Sequence, residues 1–237
     1  MRQLRTLLVS AALLVASVPT PATSTARALV LPEVTKHLEH AKKCLRDGSH
    51  HIAMAHADMV LVGDEVTYAV TFQNAGGTMQ ARCMKSLGAA LKSWEDSLDG
   101  TVSFKEIEDP SKADIVVRFK PDVRMGQEPV AGFANWKRLI RTEGKRVVES
   151  RFTSDLQIRT INVDGEPMPT SAMKHEVMHE VGHVLGLEDC DTVGYLMGPL
   201  DISRPVSAPR PHESNAVLSL RSDARRLREE ASLQANK

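Results

Sequence analysis

The run His179-Glu180-Val181-Gly182-His183 puts two imidazoles one helical turn apart on the same helix face. At that spacing both rings can reach one tetrahedral zinc ion, and Glu180 lies beside them within reach of a bound water. A catalytic zinc takes a third protein ligand and keeps a fourth position for water, and two histidines on a straight helix cannot provide that third. The chain has to turn back. Gly186, three residues after His183, is the residue type that tolerates the left-handed conformation ending a helix, and a bend there swings Asp189 toward the metal. The chemistry implied is hydrolysis by metal-activated water, with Glu180 taking the proton.

An overlapping match, His175-Glu176-Val177-Met178-His179, begins one turn earlier. Counted from it, the turn glycine would be Gly182, which stands in mid-helix with more apolar periodicity after it, so the pattern is read from His179 and His175 is expected to be a partly exposed neighbour. Cys190 and Asp191 follow directly on Asp189, and a one-residue difference in the turn would make either of them the ligand. Trp94, Phe104 and Tyr195 read as packing residues.

The elements that must position these groups follow from periodicity. Asp164-Gly165 turns the chain, Pro167 and Pro169 stiffen it, and the chemistry-bearing helix begins near Ser171 and runs to Gly186. Upstream, Val66 to Phe72 alternates as a strand, and Met84, Leu87, Leu91, Trp94 and Leu98 mark one face of a helix from Thr78 to Leu98. Strands are expected at 101–107, 113–119 and 130–136, and again between 146 and 163, where the alternation through Leu156 and Ile158 slips and implies a bulge or break. A Pro-rich stretch from Pro199 to Pro211 precedes a last helix with Val217, Leu220, Ala224 and Leu227 inward. Before the strands, residues 33–46 and 49–62 form a helical hairpin that cannot bury both faces alone and must pack on the rest, as a pro-segment or a cap.

The N-terminus has the three-part plan of a secretory signal peptide: basic residues, an apolar run from Leu7 to Val18, and small residues to Ala28, with cleavage expected between Ala22 and Ala28. The run is too short for a stable membrane anchor. The expected location is therefore secreted, extracellular or periplasmic. The 237 residues carry 30 basic and 30 acidic side chains, and loss of Arg2, Arg5 and Arg27 leaves a slight acidic excess scattered without a nucleic-acid footprint. Cys44, Cys83 and Cys190 allow at most one internal disulfide and leave an odd thiol. The expected division is a leader over 1–28, the hairpin over 29–63, one catalytic domain over 64–232 and a tail over 233–237, acting as a monomer.

His179-Glu180-x-x-His183-x-x-Gly186-x-x-Asp189 resembles the metzincin clan of zinc peptidases, and Tyr195-Leu196-Met197-Gly198-Pro199 looks like that clan's methionine turn. The strand, Trp-bearing helix and Ala-Asp-Ile-Val-Val-Arg-Phe strand before it look like the matrixin branch, so the resemblance covers roughly residues 64–232. It implies an α+β zincin fold with a twisted mixed sheet, an active-site helix and a C-terminal helix, and it makes Met197 an apolar floor beneath one zinc. It also implies a polypeptide substrate lying extended along an edge strand, for which 130–136 is the candidate. A structural calcium or second zinc is not legible. Matrixins carry histidine as third ligand, and Asp189 is similar to the snapalysin pattern instead. The harder, charged donor implies a less acidic bound water and an alkaline-shifted base limb in the rate profile. The competing expectation is a non-catalytic secreted protein that retains the metal fold; Glu180, the base such proteins commonly lose, argues for an enzyme.

Overall fold

The computed structural model describes residues 29–236, and the expected signal segment lies outside them. The chain opens with the hairpin α1 (Pro32–Arg46) and α2 (His50–Leu61), continues through β1 (Glu65–Phe72), α3 (Gly77–Ser97), β2 (Ser103–Glu106) and β3 (Ile115–Lys120), and forms a small two-stranded ribbon, β4 (Arg124–Met125) with β5 (Glu128–Pro129). Two long strands, β6 (Gly132–Glu143) and β7 (Arg146–Arg159), then lead to α4 (Thr170–Val184) and the closing helix α5 (Pro211–Ala235).

The five-stranded sheet runs β2-β1-β3-β7-β6, with every pairing parallel except the antiparallel β6 on β7. This is a mixed α+β fold in which β6 is one of the two edge strands, β2 being the other. β7 alternates buried Phe152, Ser154, Leu156 and Ile158, and the slip in its pattern is its end: buried Arg159 anchors the loop there by donating to Val123 O and Val130 O. β6 is longer than its sequence pattern suggests because its second half, Lys137–Glu143, is held by the β7 ladder rather than by apolar burial; the register slips between Arg141 and Thr142. The ribbon β4–β5 has no apolar alternation and could not be found from periodicity.

α3 and α4 pack behind the sheet. Trp94 is fully buried and donates from Nε1 to Met178 O at 2.9 Å, which satisfies its one polar atom and ties α3 to the helix carrying the histidines. The hairpin has its own core, with Val34, Leu38 and Ala41 of α1 and Ala57, Val60 and Leu61 of α2 against Leu220, Ala224 and Leu227 of α5. α5 continues to Ala235, so the tail expected from residue 233 is helical as far as that residue. Cys44 on α1, Cys83 within α3 and Cys190 after the bend that follows α4 are all free, so the one internal disulfide that three cysteines allow is not formed.

Candidate active site

α4 ends at Val184, and Gly186 at φ +101° reverses the chain, a conformation that disfavours any side chain; a Cβ there would also meet Leu220 Cδ1 at 3.2 Å and Val34 Cγ2 at 3.3 Å. The reversed segment does not hang free. It forms an antiparallel bridge, Val30 with Leu187, in which Leu31 N donates to Gly186 O at 2.9 Å and Glu188 N donates to Leu29 O at 3.0 Å. The residue after this ladder is Asp189.

The turn brings His179 Nε2 within 3.1 Å and His183 Nε2 within 3.3 Å of Asp189 Oδ1, and the donor atoms of all three lie within 4.8 Å of one another. Each ring is oriented from behind: His179 Nδ1 donates to Leu196 O at 2.8 Å and His183 Nδ1 donates to Leu187 O at 2.9 Å. A carbonyl only accepts, so both protons sit on Nδ1 and both Nε2 atoms point toward the shared space. Burial alone would depress His179, but the Asp189 hydrogen bond and the charges of Glu176 and Glu180 outweigh it and push the ring up to about 9. The two histidines hold the Asp189 carboxyl well below the usual carboxylate range. Two imidazoles with one carboxylate, their donor atoms gathered at one point, are a set that suits zinc.

Glu180 is almost fully buried and its carboxyl lies beside that of Glu176, one turn earlier. Burial and then the neighbouring carboxyl raise Glu180 well above the ordinary range, and burial raises Glu176 as well. Both face the start of β6, where a Cβ on Gly132 would lie 2.6 Å from Glu180 Oε1. Glu176 was visible in the sequence only as part of the overlapping motif. Its placement four residues before Glu180, hence on the same helix face, was the signal that could have found it.

His175 is not the half-exposed neighbour expected. It is 1% exposed, accepts from Val206 N at 2.9 Å through Nδ1, and so tethers the Pro-rich loop to α4. Met197 is buried directly against Gly182; a Cβ on that glycine would overlap Met197 Sδ, so the close approach of turn and helix requires glycine there. The turn is clamped by Glu213 at the start of α5, which accepts from Met197 N at 2.9 Å and from Arg210 N at 2.7 Å. Cys190 N donates to Met197 O, while Asp191 is exposed and outside the ligand group. Trp136 of β6 lies against His183 with ring centres 5.8 Å apart, and donates from Nε1 to Glu33 Oε2 at 2.7 Å. Tyr195 packs on His212.

These groups line a cleft of about 680 Å³ that runs from Met125 and Leu31 past the start of β6 to Leu200. Residues 61–206 match the sequence model of the matrixins. The chain belongs to the matrixin family. It is accordingly a zinc-dependent metallopeptidase acting on polypeptides, and the hairpin up to residue 60 lies outside the matched stretch. No curated protein matches the chain by sequence. Among solved structures, archaemetzincin from Methanopyrus kandleri is similar over 67% of this chain and 96% of its own, at 12% identity and a TM-score of 0.43.

Proposed function

We propose that this matrixin is a secreted endopeptidase in which His179, His183 and Asp189 hold one catalytic zinc and Glu180 is the general base. The observation that carries the reading is the convergence of two Nε2 atoms, each aimed by a backbone carbonyl behind its ring, on one Asp189 oxygen. Zinc held there supplies the Lewis acid that acidifies water and polarises a carbonyl. Glu180 receives the water's proton on a carboxylate oxygen and returns it to the departing amine. Glu176, on the same helix face one turn earlier, lies beside that carboxyl at the cleft. The substrate lies extended along the first residues of β6, the edge strand beside α4, whose Gly132 to Ala134 line the cleft.

The hairpin is retained in the working enzyme as a brace. Residues 29–31 complete the ladder that sets the approach to Asp189, and Arg138, its side chain fully buried, donates to Met59 O of the hairpin, to Val184 O of α4 and to Glu33. An inhibitory pro-segment would instead be expected to obstruct the cleft, and only Leu31 of the hairpin reaches its lining. Secretion rests on the basic, apolar and small-residue succession of residues 1–28. No helix among the described residues is long and apolar enough to cross a membrane.

The decisive experiment is Glu180→Gln. It is expected to retain one zinc per active site and to lose peptidase activity against a denatured protein; equal turnover by wild type and variant would remove Glu180 as the base. Mass spectrometry of the secreted chain is expected to place the new N-terminus before Leu29, and a start beyond residue 63 would refute the brace.

A further inference from the structure

A second group of histidines lies on the hairpin, away from the cleft. His37 and His40 stand three residues apart on α1, and His56 of α2 faces them. His37 Nδ1 and His56 Nδ1 are 2.9 Å apart, and the ring centre of His56 is 5.1 Å from that of His37 and 5.1 Å from that of His40. His37 and His56 meet almost head-on, and that direct hydrogen bond by itself accounts for their ring spacing. The catalytic pair, His179 and His183, stands at 4.9 Å.

We propose that His37, His40 and His56 form a second transition-metal site, for zinc or a similar N-preferring divalent ion, which clamps α1 to α2. Two donor atoms already stand side by side, 2.9 Å apart, each facing the other. For one Nδ1 to donate to the other, one ring carries its proton on Nδ1 and the second presents a lone pair. Moving that proton to Nε2 of the same ring frees both lone pairs with no net proton release, and a turn of each ring about its side-chain torsions then aims them at one ion. His40, which is exposed, supplies the third nitrogen by turning about its own side-chain torsions, and water completes the shell. Burial, and then neighbouring positive charge from Arg138 on His37 and the other histidines on His56, keep both half-buried rings in the neutral, metal-binding form. Glu33 opposes the Arg138 charge in the same neighbourhood.

The site lies on the brace. α1 begins immediately after the ladder to Gly186 and Glu188, so an ion that fastens α1 to α2 stiffens the support of the catalytic turn without touching it.

The test is ion counting on the full chain by elemental analysis after equilibration with Zn2+ and removal of free metal, together with a Zn2+ titration. Wild type is expected to bind two equivalents, and His40→Ala and His56→Gln to lose the weaker step, with its affinity falling at least about tenfold per imidazole removed. Because His40 is exposed, its replacement leaves the packing intact, and an unchanged circular-dichroism spectrum verifies this. Asp189→Ala is expected to keep the hairpin ion while losing the catalytic one, which separates failure at one site from failure at the other. A single equivalent in wild type that Asp189→Ala abolishes, or two equivalents that survive both hairpin substitutions, would overturn the proposal.

Discussion

The molecule holds two clusters of histidines at nearly the same ring spacing, and they differ in what stands behind the rings. On α4 each Nδ1 is spent on a backbone carbonyl, so both Nε2 atoms are aimed before any ligand arrives. On the hairpin His37 and His56 meet each other directly, and no carbonyl fixes their tautomers. Equal spacing therefore does not mean equal preorganisation. The first cluster binds without rearrangement and can hold a centre for chemistry, whereas the second must shift a proton and turn its rings, which makes it the weaker site and suits it to fastening.

Removing the third donor from the preorganised centre should cost the enzyme most. Asp189→Ala should lower kcat/KM by about a thousandfold or more and release zinc to a chelator far faster than wild type does, as measured with a metallochromic dye. Retained activity would mean that Cys190 or Asp191 can take the position. Asp189→His, by contrast, should keep zinc and move the acidic limb of the rate profile to lower pH, since the neutral donor leaves the ion more acidic toward water.

A smaller effect is expected from Gly182→Ala. The added methyl overlaps the buried Met197, and stability should fall by about 1–3 kcal/mol in denaturant titration, with zinc retained. Glu33→Ala removes the acceptor of Trp136 and the carboxylate beside buried Arg138, for a loss of about 1–2 kcal/mol, moderated because Glu33 itself is partly in water. If the brace positions His183, the same variant should also lower kcat, and a fall in stability alone would restrict Glu33 to packing.

The mildest test uses acid. Burial, with help from His37 and His40, lowers His56 to about 4 from the ordinary 6.5. Its folded state thus resists a proton that the unfolded state accepts, so this contribution to stability is full above pH 6.5 and is lost as pH falls toward 4. Thermal unfolding between pH 7.5 and 5 should steepen less in His56→Gln than in wild type. His175, lowered to about 4 by burial and then by His179, contributes equally to both and leaves the difference intact.

The comparison also separates what sequence can show from what it cannot. His179, His183, Gly186 and Asp189 lie within eleven consecutive residues, so helix geometry and one left-handed turn suffice to bring them together. The parallel strands and the amphipathic α3 announce themselves through their periods of two and 3.6. Glu213, Trp136 and Glu33 act through contacts between distant parts of the chain, which no local pattern records. The second half of β6 is charged and half-exposed, so the β7 ladder and the buried contacts of Arg138 with distant residues make it a strand, and composition cannot show that. His175 was misplaced for a related reason: its burial depends on Val206, thirty-one positions further on, folding back over α4.

The ladder between residues 29–31 and 186–188 bears on the order in which the centre assembles. Two donors belong to one helix and are aligned once that helix winds, but the third takes its place only after an interval spanning most of the chain has closed. Refolding in the presence of metal should therefore proceed in two stages, an early loose capture by the imidazole pair and a later tightening when the distant strands meet. Enzymatic competence would then lag behind helical signal, and the length of that lag would measure how slowly the two ends of the ladder find each other.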